Sequence, residues 1–348
     1  MLNIAVIGAT GAVGRECLAL LDGGTLPVKR VTPVASARSA GRDLRAELGL
    51  ARDAGPVVTL DGLDTDGLDV AVLSAGAEIG RREGRRLAAA GALVVDNSSA
   101  FRMEPDVPLV VPQVNPDALA ARPPGGIVAN PNCSAIQLVR ALHPLHTAAG
   151  LESVVLTTYQ AASGGGLRGL GELARDSRRA LDDPTAAPEP GGPPGRFGQP
   201  LAFDLVPGIG LPDGSGFTHE ERKLAREPRK ILGLPDLRLT ATAVRVPVFH
   251  CHSEAVHVRL REPVTTALVE DALAAAPGIR LYRDGYPTPR TVFATPRDRA
   301  LVHVGRVRVE PDDPHAVWLW VVADNLRVGA ALNALQIVET AVEAGWLR

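Results

Sequence analysis

The sequence predicts an α/β protein with two domains: a parallel sheet flanked by helices, followed by a mostly antiparallel α+β domain. Its 348 residues exceed the usual size of one domain and suit two. In the first third of the chain, short apolar runs alternate with helical stretches, a pattern typical of a parallel sheet. Beyond residue 130 the runs lengthen, alternate between apolar and polar residues and become rich in Val and Thr, which favours antiparallel strands.

The predicted elements also indicate where the domains begin and end. The strands expected in the first domain are residues 2–7, 31–35, 57–60, 70–73, 93–95 and 109–111, with a helix at 83–90. Those expected in the second are 153–159, 237–248, 255–260, 301–310 and 316–322. Residues 330–346 are helical again and are expected to pack back on the first domain. We therefore assign 1–129 and 330–348 to the first domain and 130–329 to the second, in which the Pro- and Gly-rich segment 184–196 predicts a surface loop.

The balance of charge argues against nucleic acid or an anionic membrane as a partner. Lys and Arg number 37 and Asp and Glu number 39, so no net field would steer the chain onto a polyanion. The three cysteines are widely spaced and form no C-x-x-C pair, so neither a disulfide framework nor a metal site is indicated. No uncharged stretch approaches the length of a membrane span. These features predict a soluble, cytoplasmic protein with reduced thiols that acts on small molecules.

Three glycines near the N-terminus predict a dinucleotide site. Gly8, Gly11 and Gly14 form G-x-x-G-x-x-G between a predicted strand and a predicted helix. Glycines at these positions allow a tight turn and let a pyrophosphate approach the helix N-terminus, as in a Rossmann-like domain. The alternative is that they serve only the backbone geometry of a strand-to-helix turn.

The segment after the second predicted strand indicates which dinucleotide is bound. An NAD site usually has an acidic residue there, but this chain continues with Ser36-Ala37-Arg38-Ser39. An arginine flanked by hydroxyls suits the 2′-phosphate of NADP. The alternative is a solvated loop arginine.

Cys133 is the candidate nucleophile. It follows Asn130-Pro131-Asn132 and begins an apolar helical stretch. A thiol at a helix N-terminus is more readily ionised to the nucleophilic thiolate. The alternative is a buried structural cysteine, which is the commoner role of a free thiol.

A base for this thiol is expected near residue 250. His250 and His252 lie two residues apart beside an apolar strand, and Arg245 stands on the other side of that strand and its turn. Strand alternation would put both histidines on one face unless a turn intervenes. Periodicity therefore does not choose between them, and either could be a core histidine that serves packing alone.

Together these segments resemble the aspartate-semialdehyde dehydrogenase family along nearly the whole chain. The similar segments, in order, are Gly-Ala-Thr-Gly-Ala-Val-Gly at 8–14, Ser-Ala-Arg-Ser-Ala-Gly at 36–41, Asp-Asn-Ser-Ser-Ala-Phe-Arg at 96–102, Asn-Pro-Asn-Cys-Ser at 130–134, Thr-Tyr-Gln at 158–160, Arg-Val-Pro-Val at 245–248, His-Ser-Glu-Ala-Val at 252–256 and Asp-Asn-Leu-Arg at 324–327. The resemblance implies a Rossmann-like NADP-binding domain and a domain for catalysis and dimerisation.

The resemblance also implies roles for single residues in catalysis. Cys133 would be the nucleophile, His252 the acid/base and Gln160 the group that orients the reacting carbonyl. Arg245 resembles the residue that binds the substrate α-carboxylate, a task that its planar guanidinium suits.

Further residues would contact the substrate and the cofactor by the same resemblance. Glu220 would meet the substrate ammonium, and Lys223 with Arg102 would bind phosphate. From the residues alone, the segment 218–223 is only a charged helix start with a solvated face. The residues expected to bind NADP are Gly8, Thr10, Gly11, Ala12, Val13, Gly14, Ser36, Arg38, Ser39, Ser163, Gly164 and Asn325.

Four positions depart from the family's usual residues. They are Gln113 for glutamate, Ala135 for threonine, Gly165 for alanine and Cys251 for glycine. None of these changes removes a reacting group, but Cys251 adds a second thiol beside the expected base.

The reaction implied is the reversible, NADPH-dependent reductive dephosphorylation of L-4-aspartyl phosphate to L-aspartate 4-semialdehyde through a cysteine thioester. It would serve the biosynthesis of lysine, diaminopimelate, threonine and methionine, in a homodimer or a dimer of dimers, and needs no metal. One alternative is an enzyme like N-acetyl-glutamyl-phosphate reductase; Glu220 argues against it, because an acetamide offers no ammonium to pair with. The other is a catalytically silent NADP-binding relative, against which Cys133, Gln160, Arg245 and His252 argue together.

Overall fold

The computed structural model describes residues 1–185 and 195–347, and its backbone contacts divide the chain into two compact units. The first unit comprises Met1–Asn132 together with the chain from Gly329 on, and the second comprises Cys133–Val328. Most of the predicted loop 184–196 lies outside the described residues. None of the helices in the described ranges is long and apolar enough to cross a membrane.

The helices and strands are numbered here in chain order. The strands of the first unit are β1 (Leu2–Ile7), β2 (Val28–Val34), β3 (Val70–Leu73), β4 (Leu93–Asp96) and β5 (Ile127–Ala129). Those of the second are β6 (Leu151–Gln160), β7 (Arg238–Arg245), β8 (His252–Leu260), β9 (Ile279–Tyr282), β10 (Val302–Glu310) and β11 (Asp313–Ala323). The helices are α1 (Ala12–Gly23), α2 (Leu44–Leu48), α3 (Ala77–Ala89), α4 (Cys133–Ala149), α5 (Gly166–Asp182), α6 (His219–Leu232), α7 (Thr266–Ala275), α8 (Pro289–Val292) and α9 (Leu332–Glu343).

The first unit contains the parallel sheet that the sequence predicts, in the order β2-β1-β3-β4-β5. Its inner strands β3 and β4 are buried at every residue, which is why they read as unbroken apolar runs. The C-terminal helix α9 packs in the same core, since its Leu335 and Val338 share one buried cluster with Leu18 and Leu21 of α1. Burial of a leucine or valine side chain stabilises a fold by about 1.5–3 kcal/mol.

Two predicted strands of the first unit are wrong. Residues 109–111 are buried, and in 57–60 Val57 is buried and the rest are half-buried, but each segment pairs with the sheet only through an isolated bridge, Val58 to Val34 and Leu109 to Ala129. A short apolar run indicates burial, and burial does not require a ladder of hydrogen bonds.

The second unit contains a mixed sheet in the order β7-β6-β8-β11-β10-β9. The pairs β6/β8, β8/β11 and β10/β11 are antiparallel, whereas β6/β7 and β9/β10 are parallel. Alternation along β8 turns His252, Glu254 and Val256 towards the buried face, on which α4 packs, and turns Ala255 and His257 to the outer face. The carboxyl ends of β6 and β7 meet because Gln160 is in register with Arg245.

The glycine turn gives a prediction about stability. A Cβ on Gly14 would lie 2.7 Å from the Cα atom of Ala9 and press on the Gly8 carbonyl, so Gly14→Ala should lower the free energy of unfolding by about 1–3 kcal/mol. Gly23 is the control on the same helix: it is exposed, with no atom within 4 Å of an added Cβ. Gly23→Ala should leave stability unchanged or raise it by up to about 1 kcal/mol. Urea unfolding measures both, and equal losses would contradict the steric argument.

Candidate active site

Cys133 is the first residue of α4, so its side chain stands at the positive end of the helix dipole. The thiol is half-buried, whereas Cys17 and Cys251 are fully buried. Burial raises the pKa of the Cys17 thiol to about 12 and raises that of Cys251 as well. Of the three thiols, Cys133 therefore has the surroundings of a nucleophile, because it is accessible and a positive dipole favours its thiolate.

A chain of polar contacts joins the end of β6 to α4 and α6. The Gln160 amide nitrogen donates to the hydroxyl of Ser134 at 2.8 Å and to the carboxylate of Glu220 at 3.0 Å. The other oxygen of Glu220 accepts from Lys223 at 2.9 Å. Both hydrogens of the Gln160 amide are thus engaged. The structure brings together Cys133, through its neighbour Ser134, with Gln160, Glu220 and Lys223.

Arg245 ends β7 and is buried beside the same groups. Its Nη1 donates to the backbone carbonyl of Ala161 at 2.7 Å, and its guanidinium lies 5.4 Å from the centre of the Phe197 ring. Burial lowers the pKa of Arg245, and the negative charges of Cys133 and Glu220 oppose that shift. A cation in such a place is available to an anionic ligand that can replace water around it.

His252 begins β8 and is fully buried. The backbone amide of Ala161 donates to its Nδ1 at 2.9 Å, so the neutral ring carries its proton on Nε2. Burial, helped by the positive charge of Arg245, lowers the pKa of His252 to about 3. A Cβ on Gly164 would lie 3.3 Å from Nε2, an atom that is buried without a hydrogen bond among the described residues. The site offers a neutral imidazole N–H donor.

A turn separates His250 from His252. Cys251 between them has φ of +69°, and His250 stacks on Phe293 with 4.1 Å between ring centres. That left-handed conformation favours glycine, the residue usual in the family at this position. The Cys251 amide donates to Oδ1 of Asn325, which also accepts from Ser163 at 2.8 Å, so two of the expected cofactor contacts adjoin this turn.

The first unit contains nine of the twelve expected cofactor residues, and Gly164 lies in the second unit with Ser163 and Asn325. Gly8 has φ of +88°, and a Cβ on it would lie 2.5 Å from the Ser74 carbonyl oxygen, so the turn into α1 passes closely over the end of β3. The first amides of α1, at Ala12, Val13 and Gly14, have no acceptor within the helix. Ser36, Arg38 and Ser39 follow β2 on a short 3-10 turn with an exposed arginine. These features fit a dinucleotide whose pyrophosphate meets a helix N-terminus.

Arg102 also belongs to the first unit and is buried. Its Nε donates to the carbonyl of Asn130 at 2.9 Å, and its Nη2 donates to that of Asn97 at 2.7 Å. The amide side chains of Asn97, Asn130 and Asn333 form a chain of hydrogen bonds beneath it. The guanidinium is therefore held in one orientation by backbone oxygens.

Several participants were missed by sequence reasoning. Ser134 could have been suspected because it follows the candidate nucleophile Cys133, and Gln137 because it lies one helical turn from that residue. The backbone of Ala161 carries no signal in its side chain. A cavity of about 400 Å³ lies elsewhere, on the outer face of the second sheet, beside Ala255, Tyr286, Trp318 and Trp320.

The chain resembles known proteins over its full length. The family model described as semialdehyde dehydrogenase, NAD binding domain, matches residues 3–122, and that described as semialdehyde dehydrogenase, dimerisation domain, matches residues 142–328. An aspartate-semialdehyde dehydrogenase of Synechocystis sp. is 41% identical over 348 residues, covering 99% of each protein.

Solved structures agree with these matches. The crystal structure of aspartate semialdehyde dehydrogenase II from Vibrio cholerae superposes with a TM-score of 0.90 at 40% identity, covering 99% of each chain. A second structure of that enzyme, complexed with ASA, gives 0.90 at 39% identity over 99% of this chain and 98% of the other. With two matched domains and 41% identity along the chain, this protein belongs to the aspartate-semialdehyde dehydrogenase family of nicotinamide-dependent oxidoreductases.

Proposed function

We propose that the chain catalyses the reversible, NADPH-dependent reductive dephosphorylation of L-4-aspartyl phosphate to L-aspartate 4-semialdehyde. The observation that carries the proposal is an accessible thiol at a helix N-terminus, adjoined by a buried arginine and supported by an imidazole fixed as an N–H donor. These three groups supply a nucleophile, a carboxylate partner and a donor to the reacting oxygen.

The reaction follows from these groups. The Cys133 thiolate attacks the acyl carbon, the carbon–oxygen bond to phosphate breaks, and phosphate leaves with the bonding pair to give a thioester. The reduced nicotinamide supplies the hydride for this carbon. Nε2–H of His252 donates to the substrate oxygen as negative charge develops there, and collapse of the thiohemiacetal returns the thiolate. Gln160 holds Ser134 and Glu220 beside the thiol, and we propose that it orients the carbonyl by releasing one of these acceptors.

Substrate recognition divides between charged groups. We assign the α-carboxylate to Arg245, which has a buried planar fork, and the α-ammonium to Glu220. This assignment disfavours an N-acylated substrate, because an uncharged acetamide would add no ion pair to the one that Glu220 makes with Lys223. We assign phosphate to Arg102, held rigid by two carbonyls, and to Lys223, each on the contacts within its own unit.

We propose NADP as the cofactor and a homodimer, or a dimer of dimers built from it, as the assembly. Arg38 and its flanking serines, with no acidic residue after β2, support NADP as the cofactor. The outer face of the second unit's sheet supports a dimer. This face exposes Val155 and contains the cavity beside Trp318 and Trp320, in the part of the chain matched by a dimerisation domain.

Covalency is the first test of the function. Wild type should reduce NADP in a phosphate-dependent reaction with aspartate semialdehyde, and Cys133→Ser should lose at least about 10² in kcat, because an alkoxide forms far less readily than a thiolate. The buried Cys251 is the matched control, and Cys251→Ser should retain most activity. Mass spectrometry without phosphate should find the aspartyl adduct on Cys133, and an adduct on Cys251 instead would overturn the assignment.

The protonation of His252 is the second test. Since its pKa is lowered from 6.5 to about 3, the ring should stay neutral with the proton on Nε2 as the pH falls from about 8 to 5. NMR of ¹⁵N-histidine-labelled protein measures this, with His252→Ala to assign the signal. His252→Ala should lower kcat about 10²-fold, and His250→Ala, which removes a ring stacked on Phe293, should lower it much less. Titration of His252 near 6.5, or the reverse ranking, is the contrary result.

Cofactor choice is the third test. Arg38→Ala should raise the KM for NADP about tenfold or more and leave that for NAD nearly unchanged, because a charge-assisted contact of about 1.5–3 kcal/mol is lost. Arg42, on the same segment, is already paired with Glu47 at 2.6 Å, so Arg42→Ala is the control and should change both constants little. Equal use of NAD and NADP by the wild type would contradict the assignment of Arg38 and its flanking serines to the 2′-phosphate of NADP.

A further inference from the structure

A buried carboxyl group that the reaction does not use lies behind the catalytic layer. Glu254 is fully buried on β8, two residues from His252 and on the same face of the strand. Its register partners are Thr158 on β6 and Val321 on β11. Gln137 of α4 interacts with it from above the sheet. None of these neighbours is charged, so no cation compensates a carboxylate there.

The polar atoms of this group lack partners of ordinary geometry. In the described part of the chain, Oε1 of Gln137, Oγ1 of Thr158 and both carboxyl oxygens of Glu254 are buried without a hydrogen bond. Buried polar atoms in folded proteins are nearly always hydrogen-bonded. Four such atoms on three neighbouring side chains therefore indicate that they satisfy one another, with small rotations, or do so through ordered water.

The count of donors favours the protonated form of Glu254. A protonated Glu254 can donate its O–H to Oε1 of Gln137 and accept from the Thr158 hydroxyl through its carbonyl oxygen. The Gln137 amide nitrogen then donates to the backbone carbonyl of His252, at a long 3.5 Å. An ionised Glu254 could accept from Thr158 and from the second amide hydrogen of Gln137, but Oε1 of Gln137 would then have no donor among these groups. Burial also raises the pKa of Glu254 well above its ordinary value, and the contact with Gln137 offsets only part of that shift.

Gln137 connects the two elements that carry the reaction. It lies one helical turn after Cys133 on α4, and it bonds to the first residue of β8, which is His252. We propose that Glu254 is a positioning residue that works as a neutral carboxylic acid, fixing Gln137 and thereby the separation of the Cys133 helix from the His252 strand. The inference deepens the proposed function and rests on it for the roles of Cys133 and His252.

Infrared difference spectroscopy tests the protonation without any assay of activity. The spectrum of full-length wild type minus that of Glu254→Gln at neutral pH should contain the C=O stretching band of a protonated carboxylic acid. Glu262 is exposed at the end of the same strand, and the spectrum of wild type minus that of Glu262→Gln should contain carboxylate bands instead. Carboxylate bands from Glu254 would overturn the proposal, even if the enzyme proved inactive and the proposed function failed.

Kinetics and unfolding separate positioning from a merely structural role. Glu254→Gln keeps one donor and one acceptor without a charge, so kcat should stay within about twofold of wild type. Glu254→Met fills the space but offers neither a donor nor an acceptor. Its kcat should fall about tenfold or more, with the KM for NADP unchanged, because Cys133 and His252 are no longer held at the required spacing. Its urea unfolding midpoint should not fall, since an apolar residue replaces a buried ionisable one.

A double-mutant cycle tests the path through Gln137. Gln137→Met should lower kcat about as much as Glu254→Met, and the two changes together should cost little more than either alone. Additive losses would show that Glu254 does not act through Gln137. A Glu254→Gln variant as impaired as Glu254→Met would show that the charge is required, and full activity of Glu254→Met would remove the positioning role.

Discussion

The backbone of one residue, Ala161, holds two of the side chains on which the proposed chemistry depends. Its amide donates to Nδ1 of His252 and its carbonyl accepts from Arg245. The two groups belong to successive peptide planes that meet at the Cα atom of Ala161, so the extended conformation of this residue, with φ of −65° and ψ of 156°, sets the separation of the imidazole and the guanidinium. The arrangement requires β6 to run parallel to β7 and antiparallel to β8, because only then do the end of β7 and the start of β8 flank the residue after Gln160.

Burial determines which groups at this place are charged. His252 and Glu254 have no adequate counter-charge, and desolvation pushes both towards the neutral form. Arg245 feels the same desolvation, but the negative charges of Cys133 and Glu220 oppose it. Removing an ion from water costs several kcal/mol unless a partner compensates, and the guanidinium of Arg245 can compensate both the Glu220 carboxylate and a thiolate on Cys133. Cys133, Glu220 and Arg245 thus form a charged layer, and His252 with Glu254 forms a neutral layer. In the proposed reaction the charged groups and Nε2 of His252 meet the substrate, and Glu254 does not.

The features of the fold and the site that depend on the chemistry of side chains could be predicted from the sequence. The glycine turn is readable because no other residue tolerates the close approach of Gly8 and Gly14 to their neighbours. The alternation of the second domain also predicted five of its six strands, but it missed the short β9 and could not reveal that β6/β7 and β9/β10 are parallel. The prediction of strands at 57–60 and 109–111 was wrong because apolar residues indicate burial and do not indicate pairing between strands.

The features that could not be predicted from the sequence depend on backbone conformation and packing. Periodicity could not choose between His250 and His252 as the base. The turn between them depends on the positive φ of Cys251, and a cysteine at this position does not predict such a turn. Ala161 acts through its backbone amide and carbonyl, which any residue could supply. Glu254 lies just before the predicted strand 255–260, and its complete burial depends on the packing of α4 on β8, which the sequence does not reveal.

The two layers explain why β8 tolerates two ionisable side chains on a face that is otherwise core. A lone buried charge would cost several kcal/mol and would draw water into the space behind the thiol. A neutral acid and a neutral imidazole avoid that cost and still supply directed N–H and O–H donors. The neutral layer can therefore be satisfied by hydrogen bonds alone, while the charged layer pairs with the ionic groups of the proposed substrate. A site that admits little water to the proposed thioester would favour its resolution by hydride or phosphate over its hydrolysis.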